Sequence, residues 1–244
     1  MWPGRPDGAP SLTGMDLEQA LRTTGAVREF SDQPVPESLV HHLLDVARFA
    51  PSGGNRQAWR VIMVKDHATR ERLRDLYLHG WYEYLAMSRA GLVPWAPVTD
   101  RDAEAQAVAH AGEVAAGAGA QPGMAERLDQ VPVLLALVAD LRSLAAVDRD
   151  LERYTLIGGA SVYPFAWSIL LAAHGAGLGG LMTTMLVREE RTVLDLLGVP
   201  EGHVLAGAIV LGYPSASPPT RLRRTAVGDF ATIDRFDGPP VTGA

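Results

Sequence analysis

Apolar positions near the start of the chain recur every three or four residues. Leu17, Ala20 and Leu21 have helical spacing behind an N-cap expected at Thr13, with Asp16 three residues on. In PESLVHHLLDVARFA (36–50), Leu39, Leu43, Val46, Ala47 and Ala50 share one face, bounded by Pro36 at the start and Pro51 at the stop. WRVIMV (59–64) reads as a buried strand, and ATRERLRDLYLHGWYEYL (68–85) returns to a helical pattern. VPVLLALVAD (131–140) predicts a central strand, residues 152–174 a long apolar helix, RTVLDLLGV (191–199) a helix, and HVLAGAIVLGYP (203–214) a last buried strand. Pro164 predicts a kink or division in the long helix. Residues 94–125 are rich in Ala, Gly and Pro and predict an inserted excursion with at most one short helix, suited to a lid or a dimer contact. The alternation of helices and strands taken alone points to a parallel, doubly wound sheet.

Composition narrows the chemistry. The 244 residues are 47% hydrophobic, enough for one large domain or two small ones. A net charge of −6 argues against a general nucleic-acid binder, which needs a basic excess. Cysteine is absent, so disulfides, thiol catalysis and thiolate metal sites are excluded. MWPGRPDGAPSLTG (1–14) has no apolar core of a signal peptide and reads as a loose arm. No run approaches the roughly 18 apolar residues of a membrane span. The expected setting is the cytoplasm, without a membrane partner.

Several motifs compete with plain structural readings. GAGLGG satisfies G-x-G-x-x-G at Gly175, Gly177 and Gly180, but it follows a helix and precedes the strand-like LMTTML, the reverse of a dinucleotide-binding loop. A glycine helix stop is the better reading. The seven histidines include no H-x-x-x-H pair, and no metal site is expected. No G-x-S-x-G elbow is present. RLRR (221–224) reads equally as a solvated patch or as a phosphate-neutralising cluster. The junction ARFAPSGGNRQAWRV (47–61) has the composition of a turn, yet Ser52, Asn55 and Gln57 gather short hydrogen-bonding groups in one place.

RTTGAVREFSDQPVP, then ARFAPSGGNRQAWRVIMV, AHGAGLGGLMTTML and GYPSASPPTRLRR in that order, resemble the landmarks of the FMN-dependent nitroreductase family over roughly residues 15–228. The resemblance implies an α+β sandwich with a mainly antiparallel central sheet, built as an intertwined homodimer with FMN at the interface. It overrides the parallel sheet suggested by alternation. It further implies a single domain over 15–230, with a lid at about 80–125 and a C-terminal tail at 231–244. Carried over position by position, Arg28 matches the basic residue of the N-terminal phosphate-binding motif, in a segment that also includes Arg22, Thr24 and Ala26. Pro51, Ser52, Gly53, Asn55 and Gln57 match the flavin-lining junction. Thr183 and Thr184 match backbone donors at flavin N5, and Arg221, Arg223 and Arg224 match the C-terminal phosphate clamp. Thr24-Gly25 stands where many members carry two basic residues, which leaves Arg22 or the C-terminal arginines to supply that charge.

The implied activity is electron transfer from NAD(P)H through flavin N5 to a small electron-poor acceptor, such as a nitroaromatic or quinone, by a ping-pong mechanism. The flavin carries the redox chemistry, so no catalytic acid or nucleophile is required of the protein. Trp81, Tyr82 and Trp95 are candidates to stack on an aromatic acceptor, or simply to pack. A specialised flavin-dependent dehydrogenase, a dehalogenating or flavin-fragmenting relative, and a non-catalytic flavin sensor or store are the alternatives.

Overall fold

The computed structural model describes residues 15–118, 122–216 and 222–243. The expected Thr13 cap, the 1–14 arm and Arg221 lie outside them. In chain order the elements are α1 (Leu17–Thr23), α2 (Glu37–Ala47), β1 (Trp59–Met63), α3 (His67–Arg89), α4 (Arg101–Val108), α5 (Ala111–Ala118), β2 (Val133–Asp140), α6 (Tyr163–Gly175), β3 (Gly179–Thr183), α7 (Glu190–Leu196) and β4 (His203–Gly212). The strands form one sheet in the order β1-β2-β4-β3, and all three pairings are antiparallel. The resemblance anticipated this sheet; the parallel arrangement suggested by alternation is not what forms. Helices between strands do not require crossovers to parallel neighbours, because antiparallel strands accept connections of any length.

The sheet is covered on both faces, which explains why β2 is apolar throughout. Leu135, Leu137 and Ala139 join α2 and α6 in one core, whereas Leu134, Ala136 and Val138 face the other core with Leu73 and Tyr77 of α3 and Val193 of α7. This is the two-residue period of a strand buried on both sides. In β4 a bulge opposite Leu137 and Val138 adds one residue, so Leu205 and Ala208 point to the same face despite their odd spacing. Trp59 stacks on Phe165 with centroids 4.6 Å apart, tying β1 to α6.

Asp16 caps α1 by accepting from the Gln19 N–H at 2.8 Å. Pro164 lies in the first turn of α6, where its missing N–H costs nothing, so the predicted 152–174 helix is divided ahead of it. Residues 157–161 form a 3₁₀ segment and 151–156 are not helical. The excursion expected to hold at most one short helix contains two, α4 and α5, both packed on α3. Alanine, which dominates this stretch, has the best intrinsic helix propensity, and Asp100 caps α4 through the N–H groups of Asp102 and Ala103.

Gly177 has φ +78° and open space around it, as a helix stop requires, whereas Gly180 serves close approach. A Cβ at Gly180 would lie 2.2 Å from the Val210 carbonyl oxygen across the β3–β4 ladder. Gly180→Ala should therefore destabilise the fold by roughly 1–3 kcal/mol or more. Urea unfolding followed by circular dichroism measures this, and a variant as stable as the parent contradicts the packing.

Candidate active site

Glycines at the edge of the sheet admit a short extended strap, residues 24–31, that carries Arg28. Ala26 bridges Gly180 in parallel, and the Val27 N–H donates to the Gly180 carbonyl at 3.0 Å. Further along, the Ser31 N–H donates to Tyr213 at 2.8 Å and Phe30 bridges Pro214. Arg28 is exposed and makes no hydrogen bond or ion pair among the described residues. It stands at the mouth of a cleft of about 590 Å³.

One wall of that cleft is a face of α3. Tyr77, Trp81 and Tyr84 are spaced four and three residues apart and so project from one side of the helix. Trp81 and Tyr84 stack with centroids 5.5 Å apart and planes 7° from parallel. Facing them, β3 ends at Thr183 and the chain turns through Thr184 and Met185. The Tyr77 hydroxyl and Thr183 Oγ1 lie 3.0 Å apart in the interior. Burial holds the Tyr77 phenol above its ordinary range, so it is neutral at physiological pH. The result is an apolar slot with a hydroxyl pair at its floor and, at its rim, an arginine without an ion-pair partner among the described residues, suited to a planar heteroaromatic ring with a polar edge.

The sequence-predicted aromatics divide around this slot. Trp81 lines it. Tyr82 points to Glu126, a lining residue, with its hydroxyl 3.4 Å from the carboxylate. Trp95 continues the ladder beyond Tyr84 at 6.2 Å, beneath the Arg188 guanidinium at 5.2 Å. Tyr77 and Tyr84 were not among the candidates Trp81, Tyr82 and Trp95; the helical period from Trp81 points to both.

The other predicted positions lie in two further places. At the junction, Ser52 Oγ accepts from the Gln57 N–H at 3.0 Å, the Gly53 N–H donates to Ser161 Oγ at 3.0 Å, and Gln57 Nε2 donates to Asn55 Oδ1 at 3.2 Å. Gly54, Asn55 and Gln57 all have positive φ, which holds the exposed amides in one fixed turn. Pro51 borders a separate apolar hollow with Val46 and Phe49, and none of residues 51–57 lines the Arg28 slot. At the third place, Thr24 is buried and its hydroxyl donates to the Ala20 carbonyl at 2.7 Å. Arg22 is exposed and paired with Glu18 at 2.8 Å. Leu222 packs against Gly25, bringing the exposed Arg223 and Arg224 to this corner. Within one chain the structure thus gathers Arg28, Thr183, Thr184 and Trp81, but sets the junction, Arg223 and Arg224 apart from them.

Comparison with known proteins identifies the class. The model of the nitroreductase family matches residues 21–213, and the chain belongs to that family. It is an NAD(P)H-dependent oxidoreductase of the nitroreductase class. It is 28% identical over 205 residues to an NADH dehydrogenase of Thermus thermophilus, covering 84% of this chain and 90% of that protein. Iodotyrosine deiodinase 1 of Rattus norvegicus is 27% identical over 231 residues, covering 93% and 73%. Among solved structures, the NADPH:FMN oxidoreductase of Vibrio harveyi complexed with NAD⁺ superposes with a TM-score of 0.60 at 19% identity, covering 90% of this chain and 78% of that one. At that identity the likeness establishes the fold.

Tyr77→Phe removes one partner of the buried hydroxyl pair and leaves the ring in place. Stability should fall by about 0.5–1.5 kcal/mol, measured by urea unfolding. An unchanged midpoint would show that the pair contributes nothing to the slot floor.

Proposed function

We propose that the protein is an FMN-dependent oxidoreductase that moves electrons from NAD(P)H to a small electron-poor acceptor by a ping-pong mechanism. The observation that carries this reading is the slot itself: an arginine and two adjacent threonines facing an aromatic wall, in a chain of the nitroreductase family. The residues fit the group, since the ring needs an apolar bed with donors and positive charge at one edge. When bound, FMN supplies the redox chemistry, accepting hydride from the donor and passing electrons to a nitroaromatic- or quinone-like acceptor. The Thr183 and Thr184 backbone N–H groups orient the ring edge. Arg28, matched by resemblance to the phosphate-binding motif, shares the slot with these threonines and so would place its charge against the ring edge, while the arginines 221–224 would neutralise the phosphate. Trp81 and Tyr84 exclude water and offer a face for stacking. Donor and acceptor compete for one slot, so the first product leaves before the second substrate enters.

The site is completed by a second copy of the chain. Asn55, Gln57 and Ser52 belong to the flavin shell in this reading but lie outside the slot of their own chain, and the junction is flanked by apolar surface that includes Phe49 at 63% and Trp167 at 41% exposure. Two copies related by a two-fold axis would place the junction of one against the slot of the other and cover that surface. A second functional reading is favoured by the likeness to iodotyrosine deiodinase: a dehalogenating specialist that uses the same slot. An acceptor panel of nitroaromatics, quinones and halogenated phenols separates the two.

The purified protein should be yellow and release FMN on denaturation, and light scattering should give about twice the chain mass of 26.1 kDa. Protein that stays colourless after addition of FMN would falsify the reading, and a monomer with tightly bound FMN would exclude the shared site. Arg28→Ala should weaken FMN binding about ten- to a hundredfold, the loss of one charge-assisted contact. Thr184→Ala keeps its backbone N–H and should bind FMN nearly as the parent does. Fluorescence titration of apo-protein at one salt concentration measures both. The opposite ranking would show that these roles are assigned to the wrong positions.

A further inference from the structure

A second cleft, of about 520 Å³, adjoins the aromatic slot. Arg28 and Met124 line both, so the two form one continuous groove. Their walls differ sharply in character. The first is aromatic, whereas the second is lined by Arg28, Arg70 and Arg127, from three separate parts of the chain.

Arg70 is half-buried and fixed in place by donation from Nη2 to the Val131 carbonyl. Its Nε is buried with no hydrogen-bond partner. Asp129 lies within electrostatic reach of Arg70 and gives its Oδ2 to Arg74 at 3.1 Å, while its buried Oδ1 has no hydrogen-bond partner among the described residues. Arg127 is exposed and has only a long contact, 3.4 Å, from Nε to the Gly123 carbonyl. Three guanidinium groups therefore line one cavity. The acidic residues on the same walls, Glu29 and Asp32, are exposed and leave the cleft with a net positive charge.

We propose that this arginine cleft receives the phosphate end of the dinucleotide donor and makes the enzyme prefer NADPH to NADH. The inference rests on the oxidoreductase reading, in which the donor's nicotinamide ring enters the aromatic slot beside the flavin. From there the adjoining groove leads to the arginines. The two donors differ at one group, a 2′-phosphate with close to two negative charges against a neutral hydroxyl. Planar guanidinium forks bind such a phosphate with two parallel hydrogen bonds, which a hydroxyl cannot match. Arg70 is held in advance for this contact, and Arg127 closes on the phosphate from the exposed side.

The test uses the FMN-loaded protein, with calorimetric titration of NADP⁺ and NAD⁺ and initial rates with NADPH and NADH. The parent should bind NADP⁺ at least about tenfold more tightly than NAD⁺, the scale of one lost charge-assisted contact. Arg127→Ala and Arg127→Glu should bring that ratio close to one, chiefly by weakening NADP⁺. Arg72→Ala, an exposed residue of α3 outside the cleft, should leave the ratio as in the parent. Equal binding of the two nucleotides by the parent overturns the proposal. So does an Arg127 variant that weakens both nucleotides alike, which assigns the cleft to the shared diphosphate, or one that changes only the KM of an acidic acceptor. Failure of the underlying reading shows differently, as protein that takes up no FMN; steady NADH oxidation without an NADPH advantage overturns this inference alone.

Discussion

The absence of Cβ atoms along one edge of the sheet is the constraint on which the site depends. A Cβ at Gly179 would lie 2.5 Å from Val27 Cγ2, and one at Gly212 would lie 2.8 Å from Phe30 Cδ1. Any side chain there would push the strap off β3 and β4, and the strap is what carries Arg28 to the mouth of the slot. Backbone hydrogen bonds then fix its register, so the position of the Arg28 cation is set by main-chain geometry and is insulated from changes elsewhere on the surface. The same sheet edge delivers Thr183 and Thr184 opposite that cation, because β3 is the strand against which the strap docks. Two halves of the slot thus share one alignment.

The departure at Thr24-Gly25 follows from the same economy of space. Thr24 turns its hydroxyl back onto the Ala20 carbonyl to finish α1, and Gly25 leaves room for Leu222, whose methyl group would be 3.1 Å from a Cβ at that position. Larger basic side chains here would need both volumes. The small residues leave room for Leu222, and the exposed Arg223 and Arg224 follow it at the same corner.

The elements were legible wherever burial imposes a period. The apolar run of β2, the face of α2 and the glycine stop after α6 can be read directly, because each residue's environment repeats along the segment. Strand order and direction were not legible from periodicity, since a strand buried on both faces looks the same in a parallel and an antiparallel sheet; the family resemblance carried that information. Helices α4 and α5 were underestimated because turn-like glycine and proline flank short alanine-rich segments. Of the residues lining the two clefts, Arg28, Thr183 and Thr184 were singled out by the family resemblance. Arg70 and Arg127 were not: they lie 57 positions apart in ordinary charged surroundings, and only the path of the chain through α3 and the approach to β2 brings them to one cavity.

The aromatic ladder anchors the start of the excursion after α3. Trp95 has φ +52°, a left-handed conformation that costs a non-glycine residue roughly 1–2 kcal/mol. That conformation is held by Tyr84 on one side and the Arg188 guanidinium on the other, with Arg188 in turn paired to Glu83 of α3 at 3.1 Å. A cation–π contact and an aromatic pair together offset a cost of that size. The first part of the excursion is therefore anchored to the rear of the aromatic wall, and the slot face of Trp81 is held rigid from behind. The aromatic wall is thus a fixed surface, while α4 and α5, packed on α3, lie outside the ladder.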